Sequence, residues 1–367
     1  MDLPKIKFLD AEVTEKMLQR FKGMRTGFVK VGEKEYFFPS RYAEQIEGYY
    51  KFKIRPSDTF VMSYPRSGTT WTLELVWLLA NDLDYSSSTT RYLADRFPFL
   101  ELSVFNYPEV TEEFVKMNDG DTDKQNLCRE IAKEGYKTLE NVPSPRFIKS
   151  HFPLSLLPGI LDSGCKIVYV ARNPKDVAVS WYHLNRAIRT QAYQGDFKEF
   201  WNYFRNDLTP WSPYWEHLKE AWSQRHHPNL LFIFYEEMQW DLQKMIHKVA
   251  KFLGKSYSDG EVSKLSDYLD IKNFRDNPMV NMSELRECGI IEPGNFVREG
   301  KSGAWVDTFT EELEASADSW IEENLRDTDL VFPHVGKYGI NNNETVSSTT
   351  IRSDDDEKSL SRVVEAS

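Results

Sequence analysis

The sequence predicts a single α/β domain with a central parallel sheet flanked by helices. Short apolar runs, typical of buried strands, alternate along the chain with helical patterns. This alternation favours parallel strands that are joined by right-handed crossovers. Of the 367 residues, 40% are hydrophobic and 14% are aromatic, which is ample material for one core. No internal repeat suggests another architecture.

The predicted elements begin with a β-hairpin at about 28–38, where two β-prone runs flank a polar turn. The first buried strand, 59–63, leads into a tight loop and then a helix. In that helix apolar residues from Trp71 onward recur at three- and four-residue spacing. The remaining predicted elements are buried strands at 146–150, 166–171 and 230–234 and helices at 200–222 and 242–253.

Two regions differ in composition from this core. Residues 84–145 are more polar and are predicted to be irregular. Residues 341–367 contain no aromatic residue and are rich in Ser, Thr, Asn and Asp, which is typical of a disordered acidic tail. The sequence therefore predicts one domain over 1–340, with its core at about 58–335, followed by this tail.

Charge and cysteine content narrow the function class. The net charge of -11 disfavours nucleic-acid binding, which usually needs a basic face. The three cysteines lack metal-ligand spacing and indicate reduced thiols in the cytoplasm. No apolar run reaches the ~20 residues that span a bilayer, and the segment after Met1 does not resemble a signal peptide. An acidic stretch at 118–123 mimics a calcium loop, but Lys124 stands where that loop needs Gly, so no metal is predicted.

The segment 64–71 joins the first buried strand to its helix. A loop of this kind points backbone N–H groups at one place, and the helix dipole favours an anion there. The hydroxyls of Ser67, Thr69 and Thr70 and the charge of Arg66 could add to a phosphate site. A capped helix start, with Ser67 or Thr69 as N-cap, explains the same residues equally well. The segment is not a Walker loop, which disfavours a nucleoside-triphosphate hydrolase.

Two further candidates follow other predicted strands. Arg172 ends the strand 166–171, at the edge where open α/β sheets bind ligands, and Ser180 lies about two turns into the next helix. Alone, each could be an ordinary surface or mid-helix residue. His151 differs from the other six histidines because it ends a short strand just before Pro153. A histidine there can accept a proton near neutral pH, and Lys149 beside it can stabilise developing charge.

Four ordered segments of the chain resemble the cytosolic sulfotransferases, over roughly residues 50–335. Tyr-Pro-Arg-Ser-Gly-Thr-Thr-Trp at 64–71 is similar to the family's YPKSGTTW, with Arg66 in place of Lys. Residues 169–182 resemble the segment that grips the 3′-phosphate of the nucleotide, and 149–153 resembles K-[ST]-H-[LF]-P. Residues 298–305 resemble RKGxxGDW, with Glu299 replacing Lys and Ala304 replacing Asp.

The resemblance implies the sulfotransferase fold, with P-loop-kinase-like topology. It also implies transfer of a sulfuryl group from 3′-phosphoadenosine 5′-phosphosulfate to a hydroxyl of a small hydrophobic alcohol or phenol. His151 would be the general base, and Arg66 and Lys149 would stabilise charge while Ser180 restrains Arg66. The residues that the resemblance assigns to the nucleotide are Arg66, Ser67, Gly68, Thr69, Thr70, Trp71, Arg172, Ser180, Tyr235, Leu269, Ile271, Arg298, Glu299 and Gly300.

The residues that would line the acceptor pocket match the family less closely. Phe99 would act as an aromatic gate, and Leu184 stands where several members have a second Phe, which implies a wider pocket. The long stretch before Lys149, and Arg66 itself, resemble insect members including retinol dehydratase. Two alternatives to sulfation therefore remain. One is a sulfate-dependent dehydratase, and the other is a nucleotide-binding protein that has lost turnover through Arg66 or Glu299.

Assembly is predicted from a short C-terminal pattern, KxxxTVxxxE, through which many family members dimerise. Alignment on Trp305 keeps only Thr310 of its marked residues, and Glu311 would bring like charges together across a two-fold axis. The sequence therefore predicts a monomer, or a homodimer through another surface.

Overall fold

The computed structural model describes residues 2–293 and 300–333, and the backbone of residues 335–336 and 339–340. The strands are β1 Ile6–Phe8, β2 Phe28–Val31, β3 Tyr36–Pro39, β4 Thr59–Met62, β5 Phe147–Ser150, β6 Lys166–Ala171, β7 Leu230–Phe234, β8 Val335–Gly336 and β9 Gly339–Ile340. The helices are α1 Ala11–Arg20, α2 Arg41–Tyr50, α3 Thr69–Ala80, α4 Tyr85–Thr90, α5 Leu93–Arg96, α6 Pro108–Met117, α7 Thr122–Glu130, α8 Gly135–Glu140, α9 Pro174–Ala187, α10 Phe197–Arg205, α11 Tyr214–Ser223, α12 Tyr235–Trp240, α13 Leu242–Phe252, α14 Asp259–Tyr268, α15 Ile271–Asp276, α16 Ser283–Glu287 and α17 Glu311–Leu325. Short 3₁₀ helices lie at Leu102–Phe105, Leu154–Leu156 and Ala304–Asp307.

The centre is a parallel sheet of β4–β7 in the order β5-β4-β6-β7. Met62 at the end of β4 pairs with Ser150 of β5 and with Tyr169 of β6, so the carboxyl ends of these strands lie level. Side chains alternate between the two faces of the sheet. Met62 belongs to the apolar cluster on one face, and Val61 belongs to the cluster on the other face. Because both faces are covered, the strands read as the continuous apolar runs from which the parallel sheet was predicted, and that prediction is confirmed.

The predicted hairpin is also confirmed, as β2 and β3, and a strand that the sequence did not suggest extends it. β1 pairs antiparallel with β2, which makes a three-stranded sheet. This sheet also holds a loop of the later chain. The N–H of Phe37 donates to the Ser212 carbonyl at 2.7 Å, and the N–H of Trp211 donates to the Phe37 carbonyl at 2.8 Å.

Two predictions about secondary structure were wrong. Residues 84–145, predicted to be irregular, contain helices α4–α8, and the acidic residue Asp121 caps α7 by accepting from the Lys124 N–H. The single helix predicted over 200–222 is two helices, α10 and α11, separated by residues 206–213. Pro210 and Pro213 lie in this interval, and proline offers no N–H to continue a helical ladder.

Two sets of predicted features lie outside the described residues. They are the site residues Arg298 and Glu299 and the tail 341–367. Within the described part of the chain, the helices are too short or too polar to span a bilayer.

Candidate active site

Each strand of the parallel sheet ends in a candidate site residue. β4 leads into the loop that carries Arg66, β5 is followed by His151, β6 by Arg172 and β7 by Tyr235. Because the strands are parallel and level at their carboxyl ends, these residues meet along one edge of the sheet. This edge is the usual ligand site of open α/β sheets.

The loop after β4 is shaped for an anion. Gly68 is the N-cap of α3 at φ +96°, and no side chain caps this helix. The alternative of a helix start capped by Ser67 or Thr69 is therefore wrong. Instead Thr69 shares a 2.7 Å hydrogen bond with Ser63, and the buried Ser67 Oγ has no hydrogen-bond partner among the described residues. An unused donor at the N-terminus of a helix fits a phosphate oxygen.

The same glycine lets an aromatic ring approach the loop. A Cβ at position 68 would lie 2.4 Å from Cδ2 of Tyr235, which is closer than real contacts allow. Trp71 meets Tyr235 with ring centroids 5.7 Å apart, and its indole N–H donates to the Leu269 carbonyl at 2.9 Å. Leu269 is fully buried behind Trp71. Leu269 therefore positions Trp71 and does not line the cavity that is described below.

Arg66 and Ser180, predicted as partners, are in contact. The Arg66 Nε–H donates to Ser180 Oγ at 2.9 Å. Arg66 adopts φ +71°, a backbone conformation that costs free energy in a non-glycine residue. The loop therefore holds the Arg66 side chain toward α9.

Arg172 is a nearly buried cation. Its guanidinium lies 4.4 Å above the Tyr235 ring and donates to the carbonyls of Arg66 at 3.2 Å and Lys301 at 2.9 Å. Its Nε is buried and makes no hydrogen bond within the described residues. The carboxylate of Asp176 lies 4.0 Å away, at the limit of an ion pair. A buried guanidinium with one unused donor is suited to an anionic ligand.

The segment 300–305 closes over this edge of the sheet. Asp176 accepts the N–H of Gly303 at 2.8 Å, and Gln239 accepts the N–H of Ser302 at 2.8 Å. Gly300 packs so closely on Ile271 that a Cβ there would lie 2.1 Å from Cγ1 of that side chain. The roles of Asp176 and Gln239 were not predicted, because carboxylate and amide side chains in a helix carry no local signal of a distant partner.

His151 is held in one tautomer. Its Nδ1 lies 2.8 Å from the Ser63 carbonyl, which can only accept, so Nδ1 carries the proton and Nε2 keeps its lone pair. Burial lowers the pKa of His151 well below 6.5, and the nearby charge of Lys149 lowers it further. The imidazole is therefore neutral near pH 7, the form that a general base requires.

Two buried groups that the sequence did not reveal hold the backbone around His151. The Glu101 carboxylate accepts both the His151 N–H and, at 2.9 Å, the Ser150 hydroxyl. Burial raises the pKa of Glu101 to about 7. On the other side, His217 Nε2 donates to the His151 carbonyl at 2.8 Å while its Nδ1 accepts from the Tyr169 hydroxyl at 2.7 Å. In the sequence, nothing distinguishes His217 from the other histidines that were set apart from His151.

Lys149 lies on the same strand end as His151. Its Nζ is 4.1 Å from the centre of the Phe99 ring. Burial lowers the pKa of Lys149 to about 8, and Arg66 lowers it too, while Glu101 opposes the shift. The two cations, Arg66 and Lys149, are thus close enough to influence each other, which suits a site that gathers negative charge.

One cavity of about 780 Å³ joins these groups. Most predicted site residues line it: Arg66, Gly68, Thr69, Thr70, Trp71, Phe99, Lys149, His151, Arg172, Ser180, Leu184, Tyr235, Ile271 and Gly300. Ser67 and Leu269 lie behind this surface.

Beyond His151 the wall of the cavity becomes aromatic. The Trp211 ring lies 5.3 Å from the His151 ring and 4.9 Å from the Phe105 ring, measured between centroids. Trp211 was missed, although the prolines at 210 and 213 were a signal that the helix breaks there.

Among residues 2–293 and 300–333, no group of three or more His, Cys, Asp or Glu side chains is arranged to hold a metal ion.

Comparison with known proteins identifies the class. A sequence model of the sulfotransferase domain matches residues 56–329, and the chain therefore belongs to the sulfotransferase family. It is similar to the luciferin sulfotransferase of Photinus pyralis, with 34% identity over 326 residues that cover 86% of this chain and 85% of that protein. It is also similar to sulfotransferase 1E1 of Bos taurus, with 31% identity over 80% of this chain and 91% of that protein.

Among solved structures, the chain is similar to retinol dehydratase in complex with androsterone and the inactive cofactor PAP. The identity is 40%, the TM-score is 0.84, and the match covers 90% of this chain and 98% of that one. The predicted α/β fold class and the predicted family are thereby confirmed.

Proposed function

We propose that this sulfotransferase transfers a sulfuryl group from 3′-phosphoadenosine 5′-phosphosulfate to a hydroxyl of a small hydrophobic alcohol or phenol. The observation that carries the proposal is the position of His151. Its unprotonated Nε2 belongs to a cavity that has an anion-binding loop at one end and aromatic side chains on the other side of His151. A base there can serve a hydroxyl that enters from the aromatic side.

The residues present fit the nucleotide. The first turn of α3, whose N–H groups no side chain caps, suits the 5′-phosphosulfate, and the unpartnered Arg172 Nε suits the 3′-phosphate. Ser67, which does not line the cavity, is a proposed contact by resemblance alone. Trp71 and Tyr235 provide aromatic surface for adenine. The bound nucleotide supplies an activated sulfuryl group and a good leaving group. Arg298 and Glu299 are proposed contacts by resemblance alone, since they lie outside the described residues.

The reaction assigns one task to each side chain. His151 Nε2 takes the proton of the acceptor hydroxyl as its oxygen bonds to sulfur, and the bond from sulfur to the bridging oxygen breaks. Lys149 and Arg66 stabilise the negative charge that gathers on the bridging and sulfuryl oxygens. Ser180, which accepts from Arg66 Nε, holds that cation toward α9 until the acceptor is present. Positioning and electrostatics dominate, as in phosphoryl transfer.

The test is a screen of hydrophobic alcohols and phenols with a sulfur-labelled donor, comparing the wild type with His151→Ala. We expect the variant to lose about two to four decades of turnover, the usual contribution of a positioned base. Its affinity for adenosine 3′,5′-bisphosphate should be unchanged because the imidazole serves the acceptor. If the variant matches the wild-type rate on an accepted substrate, the proposed mechanism is wrong.

A second candidate is a dehydration that begins with the same transfer. The similarity to retinol dehydratase at 40% identity and a TM-score of 0.84 favours it. In this reaction the sulfated alcohol would lose sulfate and a proton from a neighbouring carbon, forming a double bond. Mass spectrometry of the product separates the two outcomes, because a sulfate ester gains the mass of SO₃ and an alkene loses the mass of water.

We also propose that the chain does not dimerise through the segment around Thr310. In this chain the Thr310 hydroxyl oxygen already serves as the N-cap of α17, where it accepts the Leu313 N–H at 3.3 Å. The adjacent Glu311 would face its own copy across a two-fold axis. Light scattering at micromolar concentration should report a monomer, or a dimer whose mass is unchanged by Glu311→Lys. Loss of a dimer in that variant would contradict the proposal.

A further inference from the structure

The end of the cavity beyond α9 contains buried polar atoms that nothing in the described chain satisfies. Thr190 Oγ1, Gln191 Oε1 and Glu284 Oε2 are buried and make no hydrogen bond with any described residue. All three residues line the cavity, and each side chain is more than nine-tenths buried, with exposed fractions of 2%, 3% and 8%. Unpaired buried acceptors cost free energy unless a ligand or solvent supplies a donor.

The two segments that carry these atoms are joined by their backbones. The N–H of Arg189 donates to the Ile290 carbonyl at 2.9 Å, and Ile188 forms an antiparallel bridge with Ile291. Ile290 in turn is tied to the helix of Glu284, because its N–H donates to the Leu285 carbonyl at 2.9 Å. The wall made by residues 188–191 and 284–291 is therefore one connected surface.

This wall is held from outside as well. The N–H of Gly23 donates to the Gln191 carbonyl at 3.0 Å, and a Cβ at Gly23 would lie 2.2 Å from the carbonyl carbon of Thr190. Such close backbone packing leaves the segment little freedom to turn its side chains toward solvent. The backbone packing thus fixes the positions of the Thr190 and Gln191 side chains at this wall of the cavity.

The second half of α9 separates this wall from the end of the cavity where the reaction takes place. Ser180 contacts Arg66 at the nucleotide side, and α9 continues for seven residues to Ala187, about 10 Å at the helical rise. Apolar side chains, including Trp181, Leu184 and Ile188, line the interval. The cavity is therefore polar at both ends and apolar between them.

From this arrangement we propose that Thr190, Gln191 and Glu284 form a second polar subsite, which binds a hydrogen-bond donor at the far end of the acceptor. This inference rests on the proposed function and narrows its substrate class. The acceptor is an elongated apolar molecule with one hydroxyl at His151 and a second O–H or N–H group at the opposite end. Two of the three unpartnered atoms, Gln191 Oε1 and the Oε2 of an ionised Glu284 carboxylate, only accept hydrogen bonds, which is why the ligand must donate.

The charge around Glu284 bears on which donor group of the ligand is preferred. Burial raises the pKa of Glu284 to about 7, and the nearby Asp95 contributes to the rise. Arg286 is the neighbouring cation, but its guanidinium donates to Asn281, at 2.7 Å to the carbonyl and 2.9 Å to the side-chain oxygen. A protonated amine would therefore meet a carboxyl group that forms no ion pair with any described residue, whereas a hydroxyl would suit Thr190 and Gln191 as well.

The experiment uses three matched sets of straight-chain compounds over a range of lengths: α,ω-diols, their monomethyl ethers and ω-amino alcohols. The ether keeps the length and the reacting hydroxyl of the diol but cannot donate at the far end. For the wild type with the sulfuryl donor, we expect kcat/KM for the diol to exceed that for its ether on the order of tenfold at a favoured length. Calorimetric affinities in the presence of adenosine 3′,5′-bisphosphate should show the same ratio without turnover.

The variants Thr190→Val, Gln191→Leu and Glu284→Gln should reduce this ratio, singly or in combination, toward about two, the factor that the two equivalent hydroxyls of a diol give without any recognition of the far end. A larger effect of Glu284→Gln on the amino alcohol would identify an ammonium group as the preferred donor. Thr138→Val is the matched control, because Thr138 also lines the cavity but its hydroxyl already donates to the Gly135 carbonyl at 3.2 Å. This control should keep the wild-type ratio.

The outcomes separate the two proposals. If alcohols and phenols are sulfated but the wild type prefers no diol at any length, solvent satisfies these atoms and the subsite does not exist. The same conclusion follows if all three variants keep the preference. If no alcohol or phenol of any kind is sulfated, the proposed function itself fails and this inference fails with it.

Discussion

Replacing Glu101 with glutamine should change how the stability of this protein depends on pH. Glu101 is fully buried and accepts hydrogen bonds from the His151 N–H and the Ser150 hydroxyl. Burial raises its pKa from 4.5 to about 7 in the folded protein. Between these values the unfolded chain has released this proton and the folded chain retains it. Stability contributed by this group therefore falls as pH rises from about 4.5 to 7, and is level above 7.

The magnitude follows from the difference in pKa. A rise from 4.5 to about 7 corresponds to about 3 kcal/mol of free energy of unfolding. Glu101→Gln removes this titration, while other buried groups with raised pKa values, such as Glu236, contribute equally to both proteins and cancel. As pH rises from 4.5 to 8, the difference in free energy of unfolding between the variant and the wild type should thus increase by about 3 kcal/mol in favour of the variant.

The assay is urea unfolding of both proteins at several pH values across this window. Glu15→Gln makes the same chemical change on an exposed surface of α1 and should follow the wild type at every pH. A constant difference between Glu101→Gln and the wild type, independent of pH, would refute the reasoning, because it would mean that Glu101 ionises equally easily in the folded and unfolded chains.

Three other substitutions test the nucleotide side of the cavity. Gly68→Ala should weaken binding of adenosine 3′,5′-bisphosphate on the order of tenfold or more, because the new Cβ would lie 2.4 Å from the Tyr235 ring at a φ of +96°; calorimetry that shows wild-type affinity would contradict this. Arg172→Ala should weaken the same binding by several-fold or more through loss of a charge-assisted bond, and an unchanged affinity would remove Arg172 from the 3′-phosphate site. Ser180→Ala removes the acceptor of the Arg66 Nε–H bond and should raise hydrolysis of the donor in the absence of acceptor; an unchanged rate would show that Ser180 does not restrain Arg66.

The parallel sheet and the order of its site residues could be predicted because their causes are local. Each strand of the sheet is a short apolar run, and each candidate residue directly follows its strand, so position in sequence fixes position at the sheet edge. His151 and Arg172 were found in this way, whereas Tyr235 was assigned by the resemblance to the family. The break between α10 and α11 was missed although its prolines are visible, because the apolar pattern continues on both sides of it.

Other features depend on contacts between residues far apart in the chain. The Nδ1 proton of His151 is assigned by the Ser63 carbonyl, 88 residues away, and its own carbonyl is held by His217, 66 residues away. Hydrogen bonds of this kind have no signature in the neighbouring sequence, because any carbonyl can accept and any buried histidine can donate. The same is true of Glu101, whose burial could not be read from the residues beside it.

By itself, then, the sequence determined the class of fold, the family and the residues at the ends of the strands, since these follow from periodicity and from motifs a few residues long. The tertiary structure decided which histidine nitrogen is free and which carboxyl group has a raised pKa. It also decided which polar atoms at the far end of the cavity lack partners. These properties depend on burial and on the geometry of distant segments, and both are set only when the sheet, its helices and the loops at its carboxyl edge pack together.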